Sequence, residues 1–225
     1  MRIQSFAYTC GAAIATAAML CTDVLAHPRQ IDVPVNVTVA LPTRTGDEVF
    51  ARMLPNGYVV VVDSLAGFNH AGTVSLYRSD GTLVSTLVGK PGDRIGLGGV
   101  TALKNGNILI ASPNWQCADA LGQAPCGAVT WMSGTVGLNG TVDASNSLVG
   151  SSPGDTVGRF VFSLANGDYV VRGNGSQIGA GSVGTLTRGN GLTGRSGAVT
   201  AANSVVGTFA NDLIGDSVQL LPNGD

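Results

Sequence analysis

The chain has 225 residues, of which 44% are hydrophobic, 12% charged and 5% aromatic, with 33 glycines and a formal net charge of −2. This composition excludes an acidic disordered chain. Its 12 Lys and Arg are scattered, so no positive cluster offers itself to a nucleic-acid backbone or an anionic membrane surface.

Residues 1–26 stand apart. Met1-Arg2 makes a short positive start, "FAYTCGAAIATAAMLC" an apolar run, and Val24-Leu25-Ala26 supplies the small and β-branched residues that signal peptidase reads. The run is short for a membrane span and is broken by Thr9, Thr16 and Thr22-Asp23. The expectation is a secretory signal peptide, a mature chain without a membrane span, and a place outside the cytoplasm, either secreted or at the cell surface. The segment 27–45 follows, and within it "IDVPVNVTVALPT" at 31–43 alternates apolar and polar residues as a strand does. It stands where the outer strand of a preceding unit would stand and could close a ring.

From residue 46 the chain repeats itself. "LPNGYVVVVD" at 54–63 returns as "LKNGNILIAS" at 103–112, as "LANGDYVVRG" at 164–173 and as "LPNGD" at 221–225. A Gly-Asp or Asn-Asp step precedes each copy, so units start near 46, 92, 154 and 211, the last one incomplete. Gly134, Gly137, Gly140 and Asn146-Ser147 recur 57 positions later at Gly191, Gly194, Gly197 and Asn203-Ser204. One offset shared by so many positions marks a structural repeat.

Each unit reads as strands. "YVVVVD", "NILIAS" and "DYVVRG" are short β-branched runs behind an Asn-Gly pair, which predicts a tight type I′ hairpin. Asp80-Gly81 and Asn139-Gly140 are read as further turns of that kind. A third strand such as "GAVTWM" and a fourth such as "TLVSTLV" complete four antiparallel strands in about 46–62 residues, the size of a propeller blade. The expected fold is all-β, a partial or open propeller-like array of about four such blades. A β-solenoid is the alternative, disfavoured because each unit carries its own hairpins. The unfinished last unit suggests a partial gene product.

After export, two cysteines would remain, Cys117 and Cys126, in a loop rich in Gly, Ala and Pro. An oxidising compartment and this spacing predict a disulfide, a local staple worth about 2–3 kcal/mol. Trp115 stands beside it, where a stapled loop could present the indole to a ligand such as a glycan. His70, in "GFNHAG", is a second candidate ligand contact, with no partner in the sequence that would make it a general base. Asp47, Asp93, Asp155 and Asp212 recur once per unit, as expected of turn residues that accept backbone hydrogen bonds and not of catalytic groups. Trp131 and Tyr77, on third strands, are expected to pack between units.

The stretch 72–113 resembles the FG-GAP repeat of integrin α-subunit propellers and related bacterial secreted proteins. The likeness rests on Gly127-Ala128-Val129, on Gly92-Asp93-Arg94-Ile95-Gly96 and on Ala111-Ser112-Pro113. The phrases "GAVTW", "NSLVG" and "LxNGxYVV" also resemble an uncharacterised repeat of large bacterial surface proteins, some haemagglutinin-like. The resemblance implies a secreted or surface-displayed propeller without assigned catalysis. The acidic calcium loop of FG-GAP blades is replaced here by "LPNG", "LKNG" and "LANG", so calcium is not carried over. The functional expectation is a non-enzymatic binding or adhesion module with glycans or extracellular proteins as partners, without catalytic residues, cofactor or metal. The alternatives are a structural spacer of a larger surface protein and a carbohydrate-active propeller enzyme.

Overall fold

The computed structural model describes residues 49–117, 124–175, 182–219 and 221, and before them only two short paired strands, β1 (Ala17–Ala18) and β2 (Asn36–Val37). The signal-peptide reading of 1–26, the closing-strand reading of 31–43, Asp47 and the final "PNGD" fall outside the described residues, those two strands apart.

Three sheets follow one another along the chain. The first contains β3 (Val49–Met53), β4 (Val59–Asp63), β5 (Thr73–Tyr77) and β6 (Leu83–Val88) as an antiparallel meander. The second contains β7 (Val100–Ala102), β8 (Ile108–Ser112), β9 (Ala128–Met132) and, past the short β10 (Gly140–Thr141), β11 (Ser147–Val149). In the third come β12 (Phe160–Ser163), β13 (Tyr169–Gly173), β14 (Thr185–Gly189) and, past β15 (Gly197–Ala198), β16 (Val205–Val206). No sheet closes into a barrel, and the described residues include no regular helix. The turn over Ala66–His70 leaves helical dihedrals at Gly67, Phe68 and Asn69.

The three sheets pack face to face. Val60, Val62, Val74, Leu76 and Leu87 of the first meet Ile108, Ile110, Ala128 and Met132 of the second. On the opposite face of the second sheet, Leu109, Val129 and Leu148 meet Tyr169 and Val171 of the third. This two-sided burial explains why "ILIAS" is an apolar run without alternation: every residue of β8 is buried, as is every residue of β4, "VVVVD". A cross-strand hydroxyl pair recurs in each sheet, Ser75 with Thr86 at 3.2 Å, Thr130 with Ser147 at 2.7 Å and Thr187 with Ser204 at 2.6 Å, fully buried in the second sheet and partly buried in the other two.

The hairpins differ from the expected type I′. Gly57 N–H donates to Leu54 C=O and Leu54 N–H to Tyr58 C=O, and the same pair of bonds closes 103–107 and 164–168. Only the glycines carry positive φ, at 83°, 83° and 93°. These are three-residue loops, a type I turn followed by a left-handed glycine. Pro55, whose ring presets the first turn position, favours that geometry, and the Asn56, Asn105 and Asn166 side chains lock it by accepting the N–H two residues on. The Asp80-Gly81 loop is of the same kind.

Asn139-Gly140 is not a hairpin at all. It carries the chain onto the outer edge of the preceding sheet, where Gly140–Thr141 pairs in parallel with Leu87–Val88. One repeat later, Gly197–Ala198 pairs in parallel with Leu148–Val149. The second and third units thus each supply a fifth strand to the sheet before them.

A second junction device is the Gly-Asp corner. Ile95, Val157 and Ile214 donate their N–H to Ala71, Cys126 and Val183, the residues just before Gly72, Gly127 and Gly184. A Cβ on any of those three glycines would lie 2.2 Å from a backbone atom of Ile95, Val157 or Ile214 respectively. Between each Asp and its following apolar residue stands Arg94, Thr156 or Leu213 with φ of 48°, 44° and 50°. Three copies of one strained conformation mark a structural device held by its surroundings. Asp93 accepts the Lys90 and Gln116 N–H, Asp155 those of Ser151 and Ser152, and Asp212 those of Thr208 and Phe209.

Cys117 and Cys126 form a disulfide, with Cα atoms 5.6 Å apart. With a sequence separation of nine, replacing both by Ser should lower the unfolding free energy by about 2–3 kcal/mol. Urea denaturation of the double variant checks this, and a lower midpoint is expected, with a slope no smaller than the parent's because the unfolded chain loses its cross-link.

Candidate functional site

The strands of each sheet run between two ends. One end gathers the loops that follow β4, β8 and β13 together with the Gly-Asp corners; the other gathers the Asn-Gly hairpins and the loops that follow β5, β9 and β14.

At the corner end, Phe68 is 84% exposed. Its loop is held from below by three backbone bonds, Gly92 N–H to Asn69 C=O, Arg94 N–H to His70 C=O and Ile95 N–H to Ala71 C=O. Asn69 and His70 both adopt left-handed backbone conformations, with φ of 50° and 57°. The result is an aromatic side chain and an exposed imidazole presented on a fixed platform. His70 therefore lies at the surface beside Phe68, a residue the sequence reading passed over.

Trp115 is placed otherwise. It is 6% exposed, belongs to the core between the first two sheets, and donates its indole N–H to Val142 C=O at 3.2 Å. Its C=O accepts both the Cys126 and the Gly127 N–H. The indole thus serves as the anchor of the stapled loop and shows no face to a ligand.

At the hairpin end, two shallow clefts lie between successive units. One, of about 350 Å³, runs past Pro55, Asn56, Asn105, Asn107, Lys104 and Thr135. Its amides are engaged in holding units together: Asn56 donates to Gly134 C=O, while Asn105, Asn107 and the Trp131 indole all donate to Gly191 C=O. A second cleft of about 230 Å³ separates the second and third units, with Trp131 in its wall and Arg195 at its rim. Trp131 packs against the second core cluster, as expected of it.

Two titratable groups flank this region. Asp168 is held below the usual carboxylate range, first by the Arg188 guanidinium that donates to it at 2.7 Å and then by the Gly191 N–H. The buried Tyr169 hydroxyl is pushed up to about 12 by its removal from water. A depressed folded-state pKa stabilises above the unfolded value of about 3.9, and that stabilisation is lost as pH falls through the folded value. Asp168→Asn should therefore lower stability at neutral pH, by a small amount because Arg188 is largely solvated, and converge with the parent below about pH 4, so that the acid limb is flatter. Urea midpoints taken between about pH 2 and 7 read this.

Among the described residues no three His, Cys, Asp or Glu side chains gather closely enough to hold a metal ion, and no helix is long and apolar enough to cross a membrane.

Sheets built on one strand plan, joined by the same glycine corners, define an all-β repeat protein. Residues 102–159 and 163–216 each match the family described as "Repeat of unknown function (DUF5650)", so two copies of that repeat are present. Each match begins at the last residue of a sheet's first strand, Ala102 of β7 and Ser163 of β12, and runs through the next corner Asp, Asp155 and Asp212. No curated protein matches the chain.

Proposed function

We propose that the protein is a secreted or surface-exposed, non-enzymatic repeat module that binds glycans or extracellular proteins, its sheets acting as FG-GAP-like, propeller-type blades. The observation that carries this reading is the fixed presentation of Phe68 beside His70 on a loop that has no sequence equivalent in the other units. Recurring polar residues support it from the other side. The Asp of each described corner, the Asn of each hairpin and the paired hydroxyls are all occupied in holding the sheets, which leaves loops that differ between units as the place for recognition. The disulfide is in keeping with an oxidising compartment.

The test is a binding array of glycans and matrix proteins probed with the purified protein and with Phe68→Ala. Retention of one ligand class by the parent, with a loss of about tenfold or more in the variant, is the expected outcome. An array without any retained ligand would remove the reading.

A structural spacer is the second reading. It is favoured by Val205 and Phe209, apolar side chains 62% and 74% exposed on and beside the third sheet.

A further inference from the structure

The two junctions between sheets are built on one plan, so a position where they differ is informative. At the first junction Leu138 packs against the core, its N–H donating to Ser85 Oγ, and the Asn139 side chain accepts the Thr86 N–H. At the second, 57 positions on, the same places are held by Arg195 and Ser196. Leu76, on the third strand of the first sheet, is likewise matched in the second sheet by Trp131. Asn146, which takes the place of Ser85, turns its amide back to Thr141 C=O and accepts from Asp143 N–H, leaving the space beside it open. The outcome is the 230 Å³ cleft walled by Trp131, Leu138, Asn146, Thr193, Arg195 and Ser196.

The chemistry of this cleft is uneven in a telling way. The Trp131 ring is fixed, since its indole N–H donates to Gly191 C=O and Gly194, with φ of 74°, lets the backbone approach its Cβ. Arg195 is anchored by one bond, Nη1 to Arg188 C=O at 3.2 Å. No carboxylate of the described residues pairs with it; Asp168, the acid of the neighbouring hairpin, is paired with Arg188. A guanidinium has five N–H donors in a planar fork that matches a carboxylate. A fixed indole offers an apolar surface to the C–H face of a sugar ring. The volume lies below the ~300 Å³ at which drug-sized pockets begin, which suits one ring.

We propose that this cleft is a subsite for a single sugar acid, a pyranose whose ring lies on Trp131 and whose carboxylate is gripped by Arg195. The proposal deepens the binding reading above and rests on it, yet uses residues at the opposite end of the sheets from Phe68.

The probes are methyl β-D-glucuronide, methyl β-D-glucoside and acetate, titrated into the intact protein and followed by calorimetry and by tryptophan fluorescence. Glucuronide should bind saturably, with the glucoside and acetate each at least about tenfold weaker. Arg195→Leu, which installs the residue that the preceding unit carries, should weaken glucuronide by at least about tenfold while leaving the urea midpoint near that of the parent. If that variant fails to fold, Arg195→Gln carries the same expectation. Glucuronide binding that is absent, no tighter than glucoside or acetate, or unaffected by the Arg195 substitution overturns the proposal. An array signal lost in Phe68→Ala alongside no glucuronide binding would overturn the subsite and leave the binding module standing.

Discussion

Gly127→Ala should be among the more damaging single-methyl changes at the described residues, lowering the unfolding free energy by on the order of 3 kcal/mol. The added Cβ would stand 2.2 Å from Val157 O and 2.3 Å from Val157 N. Those are backbone atoms of a corner that is itself bonded to Cys126 C=O, so they cannot swing aside as a side chain would. Overpacking of this kind costs about 1–3 kcal/mol, and a non-glycine residue held at φ of 76° adds about 1–2. Gly106→Ala separates the two causes, because it has φ of 83° but nothing within 4 Å of the new methyl. Only the conformational part, about 1–2 kcal/mol, is expected there. Denaturant midpoints of both variants check the contrast, and equal losses would show that the close approach at Gly127 is not what limits the junction.

Asp155→Ala should cost about 2–4 kcal/mol. One carboxylate oxygen accepts the N–H of Ser151, the N–H of Ser152 and the Ser151 hydroxyl, and both Asp155 and Ser152 are buried. Removal leaves two backbone donors without that acceptor, each carrying a desolvation penalty of about 1–3 kcal/mol that a local rearrangement only partly relieves. The same substitution at Asp212 provides the comparison. Its carboxylate accepts from Thr208 and Phe209 in the same pattern, but the site is exposed and water replaces the lost acceptor, so a much smaller loss is expected. Asp212 is also held below the ordinary carboxylate range by those two backbone donors, so its small contribution is present above about pH 4 and fades on acidification.

The strands were legible because the repeat states each of them several times. "YVVVVD" and "NILIAS" have the composition of buried strands, and the shared offset of the glycines ties one copy to the next. The corner Asp residues were legible as turn acceptors for the same reason. What escaped was decided by register and orientation. Asn-Gly is compatible with a two-residue and a three-residue loop, and the choice falls to Pro55 and to the ladder that ends at Met53 and Val59. Gly140–Thr141 is too short to show a period, and its partner lies more than 50 positions upstream. Whether Trp115 faces solvent or core depends on where Val142 C=O arrives, which no local pattern states. The Trp131 cleft had a visible signal, the break in the repeat at Leu138 and Arg195, but its meaning depends on knowing that those residues face a junction.

The parallel additions β10 on β6 and β15 on β11 give the molecule a direction. Each outer border is sealed by residues encoded downstream, like tiles overlapping one way. Trimming from the C-terminal side should therefore strip a border from a unit that remains, whereas trimming from the N-terminal side leaves the survivors with their own seals. Shortened variants of equal length but opposite polarity are thus not equivalent, and a chain synthesised from its N-terminus completes each unit only after the following one has emerged.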